Sequence, residues 1–485
     1  MNLLERIDHW VGVAPTATAH ISGDRKLTFG QLGAYSNALA ANLLERYGDD
    51  RAPVAVLGHR EPEMVVAFLG VVKSGRPYVP IDTALPDERI QHILAIAKPT
   101  LVLTTQETMK LSELGKSTPP LRLRGDDPFY IIFTSGSTGM PKGIIITLNC
   151  LEHFIGWMLR EQQFIERGEI FLNQAPFSFD VSAMDLYCSL ATGGTVFSIG
   201  RDLLASPKLL YQALANSNIT TWVSTPSFAE MCLIERTFNR ALLQRVRRFL
   251  LCGEILLPAT VRLLLDRFPG AEIWNLYGPT EITVVTTSVR IDRDILQKYS
   301  TLPIGRPMPG TELFVIDENR NRLPPGSRGE IVVKGPNVSP GYLARPDLTA
   351  THFFEEGGQR AYRTGDWGRF RDGLLFFEGR IDNQIKLNGY RIELGDVEAN
   401  LRVLPVVRDA VVLPILKNGK VRWLAAFIVP SANLESADPA LTTTIRKRLR
   451  ERLPAYMLPR KFVIVDAFPI TANGKVDRQR LAESL

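Results

Sequence analysis

The segment Phe133-Thr134-Ser135-Gly136-Ser137-Thr138-Gly139-Met140-Pro141-Lys142-Gly143 follows an apolar run, Tyr130 to Phe133, and precedes another, Ile144 to Ile146. Gly136 and Gly139 let backbone N–H groups approach an anion. Thr134, Ser135, Ser137 and Thr138 add hydroxyl donors, and Lys142 adds positive charge. Phosphate binding is the chemistry this pattern suits. It is not a Walker A loop, because Gly143 rather than a serine or threonine follows Lys142, which argues against ordinary P-loop hydrolysis. Alone, such a loop is more readily a solvated turn. Four further segments change that weighting. Asn275-Leu276-Tyr277-Gly278-Pro279-Thr280-Glu281 joins a flat aromatic, a hydroxyl and a carboxylate able to bind magnesium. Tyr362-Arg363-Thr364-Gly365-Asp366 sets a carboxylate after a glycine turn, suited to paired hydroxyls such as those of a ribose. Gly379 to Lys386 and Thr471 to Arg478 complete the set. Each has a bland alternative: Tyr277 as core, Asp366 as a loop acid, Lys475 as a solvated terminal charge.

The elements that must hold these segments are legible in the hydrophobic pattern. Pro53 to Gly58 reads as a strand and Glu63 to Val72 as a helix, and such alternation over the first three-quarters of the chain predicts an α/β fold. Strand-like runs at Leu101–Leu103, Thr220–Ser224 and Phe249–Cys252 end in Gly, Ser or Thr loops, where open α/β sheets place ligands. From Pro303 to Phe377, glycines and prolines punctuate short strands at Glu312–Ile316 and Glu330–Val333, a compact β region. Beyond Gly379-Arg380 a unit of roughly a hundred residues follows. It has helices predicted at Asp396–Leu404 and Leu441–Leu453 and strands at Ala410–Val412 and Ala425–Val429. No internal repeat or low-complexity segment is evident.

A chain of 485 residues exceeds what one hydrophobic core usually organises, so two or more domains are expected. Its 45% hydrophobic and 22% charged content is that of a globular protein. A net charge of +6 over this length, without a basic tract interleaved with aromatics, gives no sign of nucleic-acid binding. Cys150, Cys188, Cys232 and Cys252 are scattered, suggesting neither a zinc site nor a disulfide framework. The acidic residues near Met1 and the lack of a long apolar run predict a cytoplasmic protein without membrane insertion.

Together and in this order, the five segments resemble those of the adenylate-forming (ANL) ligases, specifically the adenylation domains of nonribosomal peptide synthesis, over essentially the whole chain. The resemblance implies a large N-terminal domain, 1–380, of α/β subdomains plus a small β-barrel-like region, and a small mobile α+β C-terminal domain, 381–485. It implies ATP and Mg2+ as co-substrate and cofactor. Thr134, Ser135, Gly136, Ser137, Thr138, Gly139 and Lys142 would hold phosphates, and Thr280 would meet the α-phosphate. Glu281 would bind the metal and Asp366 the ribose. Gly253, Glu254 and Tyr277, with Asn275 and Gly278 in the same motif, would flank adenine. Arg380 would join the nucleotide site, Lys475 would bridge carboxylate and α-phosphate, and Asp382 would be the hinge that swings Leu387–Arg391 toward the site for thiol transfer.

The same resemblance places Asp180 against a substrate α-ammonium. An unpaired buried carboxylate is costly, so this acid argues for a cationic partner rather than a plain carboxylic acid. Met184, Val223, Leu250, Cys252, Leu276 and Val284 would line a pocket for a small apolar side chain. The segments Asn173–Asp180, Ser224–Phe228 and Cys252–Glu254 look most like stand-alone enzymes that load D-alanine onto a separate carrier protein, and the chain's end just after Lys475 suits that reading. Val223 and Leu276 depart from it, standing where threonines are expected. L-proline or another small amino acid therefore stays open, as does, in a different class, an acyl-CoA synthetase. A nucleotide-binding regulator without chemistry would lack Lys475 or Glu281. The basic helix face around Arg446 and Arg450 is a weak candidate for docking an acidic carrier, with a solvated face as the plainer alternative.

Overall fold

The computed structural model describes residues 1–113, 122–136, 138–417, 419–431, 439–470 and 476–485, the side chains of 439 and 440 excepted. Ser137 and Lys475 lie outside the described residues. The chain divides into two compact units. The first comprises Met1–Thr83, Ile96–Phe133 and Gly143–Ile381, and the second Ala84–Ala95, Thr134–Lys142 and Asp382–Leu485.

The first unit is built on three sheets. In the nine-stranded sheet, Glu272–Tyr277, Arg248–Leu251, Thr221–Ser224, Ile170–Asn173, Thr195–Ser198 and Thr18–Ser22 run parallel in that spatial order, with antiparallel strands at both edges. Parallel strands covered on both faces are buried at every residue, as Thr221–Ser224 and Arg248–Leu251 are. A six-stranded sheet runs from Gly341–Tyr342 through Lys142–Thr147, Pro128–Thr134, Tyr78–Asp82 and Val54–Gly58 to Leu101–Leu103. The helix Pro62–Lys73 is buried along its whole length and touches strands of both sheets, which explains why it is apolar all round.

The β region predicted at Pro303–Phe377 is a five-stranded antiparallel sheet, Glu312–Ile316, Gly329–Lys334, Gln359–Arg371 and Phe353–Glu356, with Leu374–Arg380 also on Gln359–Arg371. It carries one element the pattern did not suggest, a short helix Pro346–His352 begun by proline at its first turn.

In the second unit, Gln384–Leu387 and Tyr390–Glu393 form a hairpin turned by Asn388 (φ 52°) and Gly389 (φ 86°), the left-handed pair that a two-residue Asn-Gly turn requires. Helices Leu394–Arg402 and Pro439–Arg450 cover one face of the sheet Val407–Lys417, Lys420–Pro430 and Lys461–Ile464. The second helix stops three residues short of the expected Leu453, which nevertheless stays buried beside Ile445 and Leu449.

Candidate active site

The carboxyl ends of neighbouring parallel strands carry most of the residues singled out by sequence. Val223 pairs with Leu250, and Leu250 with Trp274, so these three point to one face of the sheet. Cys252 and Leu276, two residues further along their chains, continue that face. Met184 from helix Val181–Ala191 and Val284 from the loop after Tyr277 join them, and all six expected pocket residues are buried in one apolar cluster. The alternate residues Trp222, Phe249, Leu251 and Ile273 belong to the cluster on the opposite side.

Asp180 occupies the N-cap position of Val181–Ala191, yet its carboxylate makes no capping bond. The helix-capping alternative therefore does not account for it. Its negative charge is felt by the Tyr130 phenol, which burial pushes well above its ordinary pKa, with Tyr78 and Asp180 adding to the effect. The loop leading to Asp180 is held from below: Asn173 Nδ2 donates to Ala175 O at 3.0 Å and to both Asp185 oxygens at 3.1 and 3.2 Å. The buried Arg60 guanidinium donates to the carbonyls of Gln174, Ala175 and Ile199. Arg60 also meets His59 Nε2 at 2.7 Å, while His59 Nδ1 meets Asp82 at 2.7 Å.

At the same carboxyl end, Tyr277 donates its phenol to Asp366 Oδ2 at 2.5 Å, and Arg380 pairs with Oδ1. Asp366 and Arg380 are cross-strand partners beside a bulge, which sets their side chains next to each other. Burial first, then the Asp366 charge, pushes the Tyr277 pKa well above its ordinary value, so the phenol stays a donor. Asn275 donates to Pro303 O at 2.8 Å, tying strand to loop. Gly253 has φ 88°, a conformation that favours glycine, and Glu254 Oε2 accepts from Ser227 N at 3.0 Å.

The turn after Tyr277 is tightly constrained. A Cβ at Gly278 would lie 2.5 Å from Val285 Cα and 2.8 Å from Val284 O. Thr280 and Glu281 sit buried in a single 3-10 turn, followed by Thr283 (φ 61°) and Val284 (φ 66°). Two successive β-branched residues in the left-handed region store roughly 1–3 kcal/mol each. Glu281 is fully buried, accepts from Tyr342 Oη at 2.9 Å and has its carbonyl bonded by Ser339 N. Among the described residues there is no group of three or more His, Cys, Asp or Glu able to hold a metal. A divalent cation at Glu281 would thus need ligand oxygens as well, which is how magnesium is usually held.

Within the second unit, the glycine-rich loop is folded as its composition requires. Gly139 has φ 88° and a Cβ at Gly136 would lie 2.3 Å from Met140 O. Among the described residues, Thr134 Oγ1 is buried without a hydrogen-bond partner, a group suited to a ligand. Ser135 and Lys142 are engaged by protein: Ser135 donates to Arg391 O and accepts from Glu393 N, and Lys142 lies 3.9 Å from Glu393. Phosphate binding there would exchange these partners for the ligand. Arg89 donates to Gly139 O and pairs with buried Asp396 at 3.0 Å. Exposed Asp382 accepts from Gln384 N at the first residue of the unit's long segment. Arg446, one of the two arginines named for docking, donates to Arg460 O and stacks over Phe462.

The family model for AMP-binding enzymes matches residues 7–343, and that for the AMP-binding enzyme C-terminal domain matches 396–475. Proteins named D-alanine–D-alanyl carrier protein ligase from Bacillus mycoides (strain KBAB4) and Bacillus anthracis are 45% and 44% identical, over 99% of both chains in each case. The chain belongs to the AMP-binding enzyme family. It is an ATP-dependent, AMP-forming ligase.

Solved structures agree with this AMP-binding enzyme in fold. Holo-PA1221, an NRPS protein containing adenylation and PCP domains, matches with a TM-score of 0.85 and 27% identity over 100% of this chain and 84% of that one. The Vibrio cholerae adenylation domain AlmE, in complex with glycyl-adenosine-5′-phosphate, matches with a TM-score of 0.85 at 21% identity over 99% and 98%. No helix among the described residues of the enzyme is long and apolar enough to cross a membrane. Three groups of contacts were not anticipated from sequence: Arg60 on the Asp180 loop, Tyr342 on Glu281, and Asn337 behind the Thr280–Thr286 turn. Their partners lie 50 or more residues away, and only the Pro/Gly-bracketed run Gly335–Gly341 offered a local signal.

Proposed function

We propose that this AMP-binding enzyme activates a small amino acid, D-alanine foremost, as its aminoacyl-AMP and transfers it to the phosphopantetheine thiol of a separate carrier protein. The observation that carries the amino-acid part is Asp180, an acid not used as a helix cap, beside a buried cluster whose six expected pocket residues are all apolar or weakly polar. D-alanine is favoured by full-length relatives that bear the name of its carrier protein ligase.

In the first step a substrate carboxylate oxygen bonds to the α-phosphorus of ATP and pyrophosphate leaves. Two anions must meet, so donors and positive charge aimed at the developing charge are needed. Thr280 and Lys475 are the assigned donors, Lys475 on its sequence motif alone. Asp180 would pair with the α-ammonium, fixing which face of the amino acid is presented. Asp366, held by Tyr277 and Arg380, would accept from the ribose, while Gly253, Glu254 and Tyr277 flank adenine. Thr134, Ser135, Ser137, Thr138 and Lys142 would take the phosphates. Glu281 would hold Mg2+, which when bound neutralises phosphate charge. In the second step the carrier thiol bonds to the acyl carbon and AMP leaves. The hairpin turn at Asn388-Gly389 is assigned to that step and Asp382 to the hinge preceding it. ATP and an acceptor thiol both fit a cytoplasmic setting.

A second reading, an L-prolyl or other small-aminoacyl carrier protein ligase, keeps the same mechanism. It is favoured by Val223 and Leu276, whose side chains make the pocket wall wholly apolar where they stand. Amino-acid-dependent ATP–pyrophosphate exchange with D-Ala, L-Ala, Gly, L-Ser, L-Pro and acetate decides, with Asp180→Ala alongside. Exchange strongest with D-Ala and lost in the variant is expected. Preference for L-Pro moves the substrate assignment, and acetate-driven exchange indifferent to Asp180 overturns the amino-acid reading.

A further inference from the structure

We propose that Asn337 is a positioning residue for the adenylation step, a buried brace that fixes in one stroke the Thr280–Glu281 turn and the pocket wall at Val284. Asn337 is fully buried and far in sequence from the turn it serves. Its Nδ2 donates to Ile282 O at 2.9 Å and to Thr286 Oγ1 at 3.1 Å, and its Oδ1 accepts from Thr311 Oγ1 at 2.8 Å. The orientation of the amide is set by chemistry, because a carbonyl such as Ile282 O can only accept. The brace is reciprocal: Thr283 Oγ1 donates to the carbonyl of Asn337 at 2.8 Å.

These bonds bracket the two left-handed residues, Thr283 and Val284, from both sides. Ile282 precedes them and Thr286 follows, and both are held by the same amide nitrogen. Strained backbone persists where its surroundings over-determine it. Without the amide, the turn has a less strained alternative open to it. Relaxation would move Glu281 and Thr280 on one side and Val284 on the other, although Asn337 itself touches neither nucleotide nor amino acid in this assignment. Ser339 N on Glu281 O and Tyr342 Oη on Glu281 Oε1, from the same segment, extend the brace to the carboxylate.

The inference rests on the reading of Thr280 and Glu281 as groups that meet Mg2+-ATP, and the test separates the two. Full-length Asn337→Ala, Thr311→Val and Glu281→Gln are compared with the parent by melting and by calorimetric binding of AMP without metal and of α,β-methylene-ATP with Mg2+. The KM for the amino acid is measured by pyrophosphate exchange. Thr311→Val removes only the hydroxyl that fixes the Asn337 amide, so it reports even if Asn337→Ala does not fold. The expected result is analogue binding weakened and amino-acid KM raised by about tenfold to a hundredfold in Asn337→Ala, with Thr311→Val smaller in the same direction and AMP binding within about twofold. Folded Asn337→Ala and Thr311→Val that match the parent in both quantities overturn the inference, as does a loss of AMP binding equal to that of the analogue. If Glu281→Gln alone leaves analogue binding unchanged, the metal assignment fails, and the amino-acid KM of Asn337→Ala still decides the brace.

Discussion

At the scale of single residues, the site works by giving charged groups fixed partners. Asp366 accepts from Tyr277 and Arg380 at once, so its carboxylate is oriented before any ligand arrives. Tyr277→Phe removes one of these bonds while keeping the ring. It is expected to lower kcat/KM for ATP by about tenfold, consistent with a hydrogen bond to a charged group, and to leave the amino-acid KM near the parent value. Steady-state exchange with ATP and amino acid varied separately checks this. Met184, fully buried in the apolar cluster proposed to line the substrate pocket, is expected to set side-chain size. Met184→Ala should admit larger amino acids and reduce discrimination against them by about tenfold or more, read as a ratio of kcat/KM values.

At the scale of elements, turns with obligatory backbone geometry connect the rigid strands to the chemistry. Gly278→Ala would force a Cβ into the backbone at Val284 and Val285, so it is expected to displace the Thr280–Glu281 turn and abolish exchange. Retained exchange would show that the turn adjusts. Gly389, at φ 86° in the Gln384–Glu393 hairpin, makes a different prediction. Gly389→Val is expected to slow transfer to a phosphopantetheinylated carrier while leaving pyrophosphate exchange near normal, because the hairpin is assigned to the second step only. Both signals are local and were legible in sequence as Gly-Pro and Asn-Gly pairs. The Pro346–His352 helix shows the limit of such legibility: glycine and proline spacing identified a β region but not the short helix within it.

At the scale of the whole molecule, the two units carry buried groups that respond to acid in opposite directions. In the first unit, burial and the nearby Arg25 lower the pKa of His20 to about 3. Below about pH 6.5 the unfolded chain takes up a proton that the folded one refuses, so this contribution to stability is lost as pH falls from 6.5 toward 3. In the second, burial raises Asp396 to about 6 against the opposing charge of Arg89. The folded state there binds the proton more tightly than the unfolded one, so stability falls as pH rises from about 4 to 6. Urea unfolding of His20→Gln and Asp396→Asn across pH 4 to 7 checks both. The first variant is expected to show weaker acid destabilisation than the parent, and the second to gain on the parent as pH rises.

The sequence by itself determined the family, the order of the segments and the alternating strands and helices, each written in local chemistry or in a period of two along a strand, while the six expected pocket positions came from the resemblance. Only the tertiary structure decided which distant groups hold them: Arg380 on Asp366, Arg60 on the carbonyls before Asp180, Tyr342 on Glu281 and Asn337 on the turn after it. The left-handed pair Thr283 and Val284 was equally hidden, since β-branched residues disfavour that conformation. A buried hydrogen bond needs a partner within about 3 Å, and nothing in the spacing along the chain records which residue the fold brings there.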